Sequence, residues 1–353
     1  MLERDNTDRA DDLLVVDRLS VEFPLPDGRR LRAVDSVSLN LRQGETLGVV
    51  GESGSGKSVL LRSIMGLLHP KTAPREGSVR LDGRELVGLP RRQLRRLWGT
   101  SISIVFQDPM SSLNPVVRIG RQIGESVLPE VDGEPVDVRE RSLELLRLVG
   151  ISEPERRLRQ YPHELSGGMR QRVAIAIALA GHPRLLLADE PTTALDVTVQ
   201  AQILDLLAEL QDRLDMAMIL VSHDLAVVAT RTDRIIVMYA GQVVESAPTR
   251  TLFRSTRMPY TEALINSIPV PGQARHTRFH TIGGRPPSLV DRPLGCPFAP
   301  RCLYVQPRCL EEQPPLVAAG APDHSYRCWF PVGTPEGRDA LERNAAKQTP
   351  VTS

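Results

Sequence analysis

Residues 51–58 read GESGSGKS, an order of residue types suited to gripping a chain of phosphates. Gly51, Gly54 and Gly56, with Glu52, Ser53 and Ser55 between them, let backbone N–H groups curl around β- and γ-phosphate oxygens. Lys57 adds a compact positive charge, and the Ser58 hydroxyl is a candidate ligand for Mg²⁺. A plain glycine-rich turn would share the composition. It would not sit, as this loop does, between an apolar strand-like run (LGVV) and a helix-like one (KSVLLRSIMGLL).

Two further segments complement the loop. Asp189 and Glu190 end the apolar run RLLLADE; with a phosphate loop in the chain, Asp189 is expected to hold Mg²⁺ through water and Glu190 to act as general base on an attacking water. Ser166 opens the helical pattern GGMRQRVAIAIALAG as its N-cap, and a helix start preceded by Ser-Gly-Gly suits contact with an anion. On physical grounds alone it could equally be an ordinary capped core helix.

All four cysteines fall between residues 296 and 328, spaced C-x5-C-x6-C-x18-C in proline-rich sequence. The tight pairs typical of structural zinc are missing. The wide all-thiol spacing, with prolines within two residues of Cys296, Cys302 and Cys309, suits a [4Fe–4S] cluster better. Zinc, and four thiols without metal, stay open.

The elements that must position these groups alternate. LGVVGES (47–53), RLLLADE (184–190) and AMILVSH (217–223) suit buried parallel strands, and DVTVQAQILDLLAELQDRL (196–214) places Val199, Ile203, Leu206, Leu210 and Leu214 on one helical face. That alternation predicts an α/β fold with a doubly wound sheet. Residues 13–41 predict an antiparallel β subdomain before it, and residues 110–165 a helical insert. From Pro248 onward lie 16 of the 29 prolines, so a boundary near 247 and a small Pro/Cys-rich C-terminal domain over 248–331 are expected. Residues 1–12 and 332–353 read as solvated tails.

Composition narrows the class. With 44 Lys+Arg against 43 Asp+Glu, net +1, there is no basic excess to carry sequence-independent nucleic-acid binding. No apolar run approaches the ~18 residues of a membrane span, and the start MLERDNTDRADD has no secretory core. The expectation is a cytosolic protein, unless a partner holds it at a membrane.

GESGSGKS, Gln107 in IVFQDP, LSGGMRQR (165–172), LLLADE, TALD (193–196) and His223 stand in the order of an ABC nucleotide-binding domain, and residues 13–247 resemble that family. The resemblance implies an ABC-type P-loop ATPase with a RecA-like core, an antiparallel β subdomain and a helical insert. It implies a head-to-tail dimer holding two ATP molecules, with Ser166, Gly167 and Gly168 acting on the partner's nucleotide and Asp196 at the seam. It also implies that Gln107 touches Mg²⁺ or the attacking water, that His223 contacts the γ-phosphate, and that Phe23 stacks on adenine.

FQDPMSSLNP (106–115), YPHELSGGMRQR (161–172), IIVMYAGQVVE (235–245), MPYTEALINSIP (258–269) and GCPFAPRC (295–302) extend the resemblance through residue 331. They resemble the ATPase subunits of bacterial oligopeptide, dipeptide and nickel importers. Such a subunit is expected at the cytoplasmic face of the cell membrane, held by two permeases, paired with a second ATPase subunit as a heterodimer and served by an extracytoplasmic binding protein; ATP, Mg²⁺ and a [4Fe–4S] cluster are the implied cofactors. A soluble ABC ATPase working on DNA or ribosomes, and a regulatory module that holds ATP without turnover, are the competing classes. The neutral charge weighs against the first, and Glu190 with His223 against the second.

Overall fold

The computed structural model describes residues 12–108, 112–131, 134–193, 195–268 and 282–348. The chain begins with two long strands, β1 (Asp12–Pro24) and β2 (Arg30–Arg42). The turn between them closes through Leu25 N–H to the Arg29 carbonyl at 2.9 Å. Next come β3 (Thr46–Val50), helix α1 (Lys57–Ile64), the hairpin β4 (Arg75–Leu81) and β5 (Arg84–Glu85), the short α2 (Arg91–Leu94), and β6 (Ile102–Val105). The middle of the chain carries α3 (Ile119–Gly124), the two-residue strands β7 (Glu130–Val131) and β8 (Glu134–Pro135), α4 (Val138–Leu148), α5 (Pro154–Arg157) and α6 (Gly167–Leu179). It continues with β9 (Leu185–Asp189), α7 (Val197–Leu214), β10 (Ala217–Ser222), α8 (Leu225–Ala229), β11 (Arg234–Tyr239) and β12 (Gln242–Pro248). The last third contributes α9 (Thr249–Arg254), α10 (Pro259–Asn266), α11 (Pro307–Glu311), β13 (Val317–Ala318), β14 (Ser325–Tyr326) and α12 (Pro335–Gln348).

These elements form two compact units that interleave along the sequence. One comprises the described residues through Val15, Asn40–Thr46 and Arg80–Val221; the other comprises Val16–Leu39, Leu47–Val79 and the described residues from Ser222 onward. In the first unit β6, β9 and β10 run parallel, with Ile102 and Ala217 both registered on Leu185. Strands β9 and β10 are buried along their whole length, as apolar runs flanked on both faces must be. Helix α7 turns Ile203, Leu206 and Leu210 inward, and its charged residues stay in solvent. The span expected to be helical carries α3, α4 and α5, with the β7–β8 hairpin between α3 and α4.

In the second unit β3 runs parallel to β11, Leu47 against Arg234 through Val50 against Val237. Strand β12 pairs with β11 on one side and with β14 on the other, and β14 pairs with β13. The expected cut near residue 247 therefore falls inside β12. A proline at a strand's last residue does not break its ladder, and the proline-rich segment adds β14 and β13 to the same sheet.

Two tail expectations need correction. Asp12 already belongs to β1, whereas residues 1–11 lie outside the described residues. The segment 332–353 contains helix α12. Pro335 sits at its first turn, where a missing N–H is harmless, and the Thr334 hydroxyl caps it by accepting from Gly337 N–H at 3.1 Å. Ala340 is fully buried, and Asn344 Nδ2 donates to the carbonyls of Leu303 and Val305 at 2.8 and 2.9 Å. Residues 349–353 lie outside the described residues.

Candidate nucleotide site

The loop 51–58 follows β3 and ends in α1, and its glycines have specific steric reasons. Gly56 has φ +100°, and a Cβ there would meet the Ala33 carbonyl oxygen at 2.3 Å; Gly54 has φ +79°. Gly51 lies against β11, where a Cβ would meet the Met238 carbonyl oxygen at 2.2 Å. Lys57 is buried and its ammonium donates back to the carbonyls of Gly51 at 2.7 Å and Glu52 at 3.1 Å, which ties the loop closed. The turn between β11 and β12 supports the loop from outside. Ala240 and Gly241 are both left-handed, as a two-residue hairpin turn requires, and Gly241 N–H donates to the Ser55 carbonyl at 2.9 Å. A backbone cradle with a buried lysine and the Ser58 hydroxyl at its helix start fits a Mg²⁺–nucleotide phosphate chain in donor chemistry.

Residues from the last third of the chain grip the same loop. Glu52 N–H donates to the Tyr260 hydroxyl at 2.9 Å, and the Glu52 carboxylate takes two bonds from Arg301, Nη1 to Oε2 at 2.6 Å and Nη2 to Oε1 at 2.8 Å. The remaining donors of Arg301 go to the Gly283 and Ile282 carbonyls and to the Tyr239 hydroxyl. Tyr239, Tyr260 and Phe298 form an aromatic cluster with ring centroids 4.5–5.4 Å apart, and the Arg301 guanidinium lies 5.9 Å from the ring centroids of Tyr239 and Phe298. Burial raises the phenol of Tyr260 above its ordinary value, so it stays protonated. Sequence reasoning quoted MPYTEA and GCPFAPRC but gave Tyr260 and Arg301 no role. Spacing alone offered no signal for either, because both act on a loop more than 200 residues away.

Of the other residues expected at the site, Phe23 and His223 belong to this same unit. Phe23 is half-buried near the end of β1. His223 is exposed just after β10, in a turn fixed by Asp224, whose N–H donates to Ser222 Oγ at 2.9 Å and whose carboxylate caps α8.

The first unit holds the remaining expected residues. Asp189 is fully buried at the end of β9, and Glu190 follows in the left-handed region at φ +45°. Glu190 Oε2 accepts from Gln107 Nε2 and from Thr193 Oγ1, both at 3.1 Å, which orients the carboxylate. Ser166 is the N-cap of α6, its Oγ accepting from Met169 N–H at 3.3 Å, and Asp196 is the N-cap of α7, accepting from Val199 N–H at 3.0 Å. The two helix starts approach closely: a Cβ on Gly168 would meet Val199 Cγ1 at 2.7 Å, and one on Gly167 would meet Leu195 Cδ2 at 3.2 Å. Of the quoted TALD, Ala194 lies outside the described residues.

Cys296, Cys302, Cys309 and Cys328 line one cavity with Met258, Phe298 and other apolar neighbours. All four are free of disulfides, and burial pushes Cys296 up to about 11 and Cys302 up to about 12. Among the described residues no three His, Cys, Asp or Glu side chains are grouped to hold a metal ion. In donor type and number alone the four thiols match those of a cluster.

Among the described residues no helix is long and apolar enough to cross a membrane. A profile of the ABC transporter family matches residues 34–193, and one described as the C-terminal region of oligopeptide/dipeptide transporters matches 244–309. The oligopeptide transport ATP-binding protein OppD of Mycobacterium tuberculosis is 51% identical over 90% of this chain, which spans about half (51%) of that longer relative. The dipeptide transport ATP-binding protein DppD of Escherichia coli is 46% identical over 91% of this chain and 97% of its own length. Among solved structures, the ATP-binding cassette MJ0796, a dimer bound to ADP and phosphate, is similar with a TM-score of 0.60 and 31% identity, covering 67% of this chain and 99% of that one. The cradle of residues 51–58 and the capped Ser-Gly-Gly helix start occur in a chain with relatives this similar along most of its length. This chain belongs to the ABC transporter family, in the branch of oligopeptide- and dipeptide-type ATP-binding proteins.

Proposed function

We propose that the chain is the ATP-hydrolysing subunit of an importer for oligopeptides or dipeptides, acting on the cytoplasmic face of the cell membrane. The observation that carries this reading is Glu190, whose carboxylate is oriented by Gln107 and Thr193 at the end of a buried strand, as a base for an attacking water must be. In this reading Gly51–Ser58 bind the phosphates of ATP, Ser58 and Gln107 ligate Mg²⁺, Asp189 holds it through water, His223 contacts the γ-phosphate and Phe23 stacks on adenine. Ser166, Gly167 and Gly168 complete the site of a second, similar ATPase subunit, with Asp196 at the seam of the heterodimer. Two permeases and an extracytoplasmic binding protein make up the rest. The names of the relatives support peptide transport over a role on DNA or ribosomes.

Affinity isolation from native membranes, followed by mass spectrometry, tests the assembly. The permeases and a second ATPase should co-purify. Nuclease-sensitive association with ribosomes or DNA instead would overturn the transport reading.

The cavity lined by the four cysteines is the proposed seat of a [4Fe–4S] cluster that organises a segment with little regular structure. The four thiols that share this cavity's lining, alike in donor type and number to a cluster's ligands, support the reading. Protein purified without air should carry iron and acid-labile sulfide together; one zinc per chain with no sulfide would sink the idea.

A further inference from the structure

A carboxylate inside a phosphate-gripping loop is an electrostatic liability. Glu52 sits between Gly51 and Ser53, so an unpaired charge there would repel the anion that the neighbouring N–H groups attract. The chain answers with a guanidinium that is 3% exposed and whose hydrogen bonds engage Nε and both terminal nitrogens. Two bonds go to Glu52, and the others anchor Arg301 to the backbone at 282–283 and to Tyr239. Such a fork is specific to arginine, because lysine has neither the planar geometry nor the donor count. Tyr260 adds a grip on the same residue's backbone N–H, and Lys57 holds its carbonyl. Glu52 is thus fixed at side chain, N–H and C=O, and two of those three attachments come from the last third of the chain.

We propose that Arg301, backed by Tyr260, is a positioning residue of the nucleotide site: it neutralises Glu52 and turns its carboxylate away from the phosphates, so that the C-terminal element sets the affinity of the loop for ATP. This rests on GESGSGKS being the nucleotide loop. Arg301 itself touches no nucleotide in this scheme.

The test measures ATP affinity of the full-length chain by equilibrium binding of a fluorescent ATP analogue, alongside KM and kcat. Arg301→Ala should weaken binding by about tenfold, because it leaves Glu52 uncompensated. Glu52→Gln should restore the Arg301→Ala chain to within about threefold of wild type, a rescue that a merely structural loss would not give. Arg301→Lys, which keeps the charge and guards against misfolding of the alanine variant, should raise KM severalfold with kcat changed by less than about twofold. Wild-type affinity in both Arg301 variants would overturn the proposal, as would a double variant as weak as Arg301→Ala alone. Lys57→Ala separates the two layers: if it binds ATP normally the loop assignment fails, whereas if it loses ATP while both Arg301 variants bind normally, only the clamp fails.

Discussion

Gln107 and Glu190, 83 residues apart in sequence, are joined by a hydrogen bond of 3.1 Å from Nε2 to Oε2. The bond links the segment after β6 to the end of β9, so the carboxylate expected to activate water is oriented by the residue that precedes the helical part of the chain. Glu190→Gln should lower kcat by about a hundredfold or more while ATP binding persists. Together with its partner ATPase subunit, the variant should also elute as an ATP-dependent dimer in gel filtration. Steady-state hydrolysis at the wild-type rate would remove Glu190 as the base.

Gly168 and Val199 make a second prediction. Alanine at 168 must displace Val199 Cγ1 from 2.7 Å, an overpacking that costs about 1–3 kcal/mol and shifts the start of α6 relative to α7. Gly168→Ala should therefore lower the melting temperature and slow turnover, with ATP affinity of the isolated chain unchanged. Gly167→Ala, facing only the tip of Leu195 at 3.2 Å, should be the milder of the two.

The pair Glu245 and His324 is almost entirely buried, with side chains 0% and 1% exposed, and is joined at 2.9 Å. The same carboxylate accepts from the N–H groups of Arg257 and Met258 at the approach to α10. Glu245→Ala strands all three donors and should destabilise the chain by about 3–5 kcal/mol in urea denaturation. Combining it with His324→Ala should cost less than the sum of the single changes, since the two share one network.

For the cysteine cavity, Cys302→Ser should reduce iron and sulfide together in anaerobically purified protein. Loss of iron with sulfide retained, or of neither, would argue against a shared cluster.

Much of the core was legible because local rules and tertiary demands agree there. The runs 185–189 and 217–222 are buried on both faces and read as strands, and Ser166 caps the helix it was expected to cap. The boundary expected near 247 lies close to residue 244, where the matched C-terminal region begins, but proline density marks only where helices and central strands cannot run, and it could not show that β12 has partners on both sides, one of them the remote strand β14. Helix α12 was missed although Thr334-Pro335-Glu336 is an N-terminal signal, because its polar composition outweighed the cap; it is tied to the preceding segment by Gln306, which donates to the Ala340 carbonyl, and by Asn344, which donates to the Leu303 carbonyl. Arg301 and Tyr260 were invisible for a different reason. Their chemistry is ordinary, and only folding brings them to Glu52.

The interleaving of the two units bears on how the protein is made. Val16–Leu39 and Leu47–Val79 leave the ribosome early, yet they pack into a unit that also needs the described residues from Ser222 onward. At ordinary elongation rates the loop waits on the order of ten seconds or more for Tyr260 and Arg301 to be translated. A nascent chain therefore carries its phosphate-gripping sequence without the groups that shape it. Fragments released before the last third is complete should be poor ATP binders, which would spare the cell from half-made subunits that consume fuel with nothing to drive.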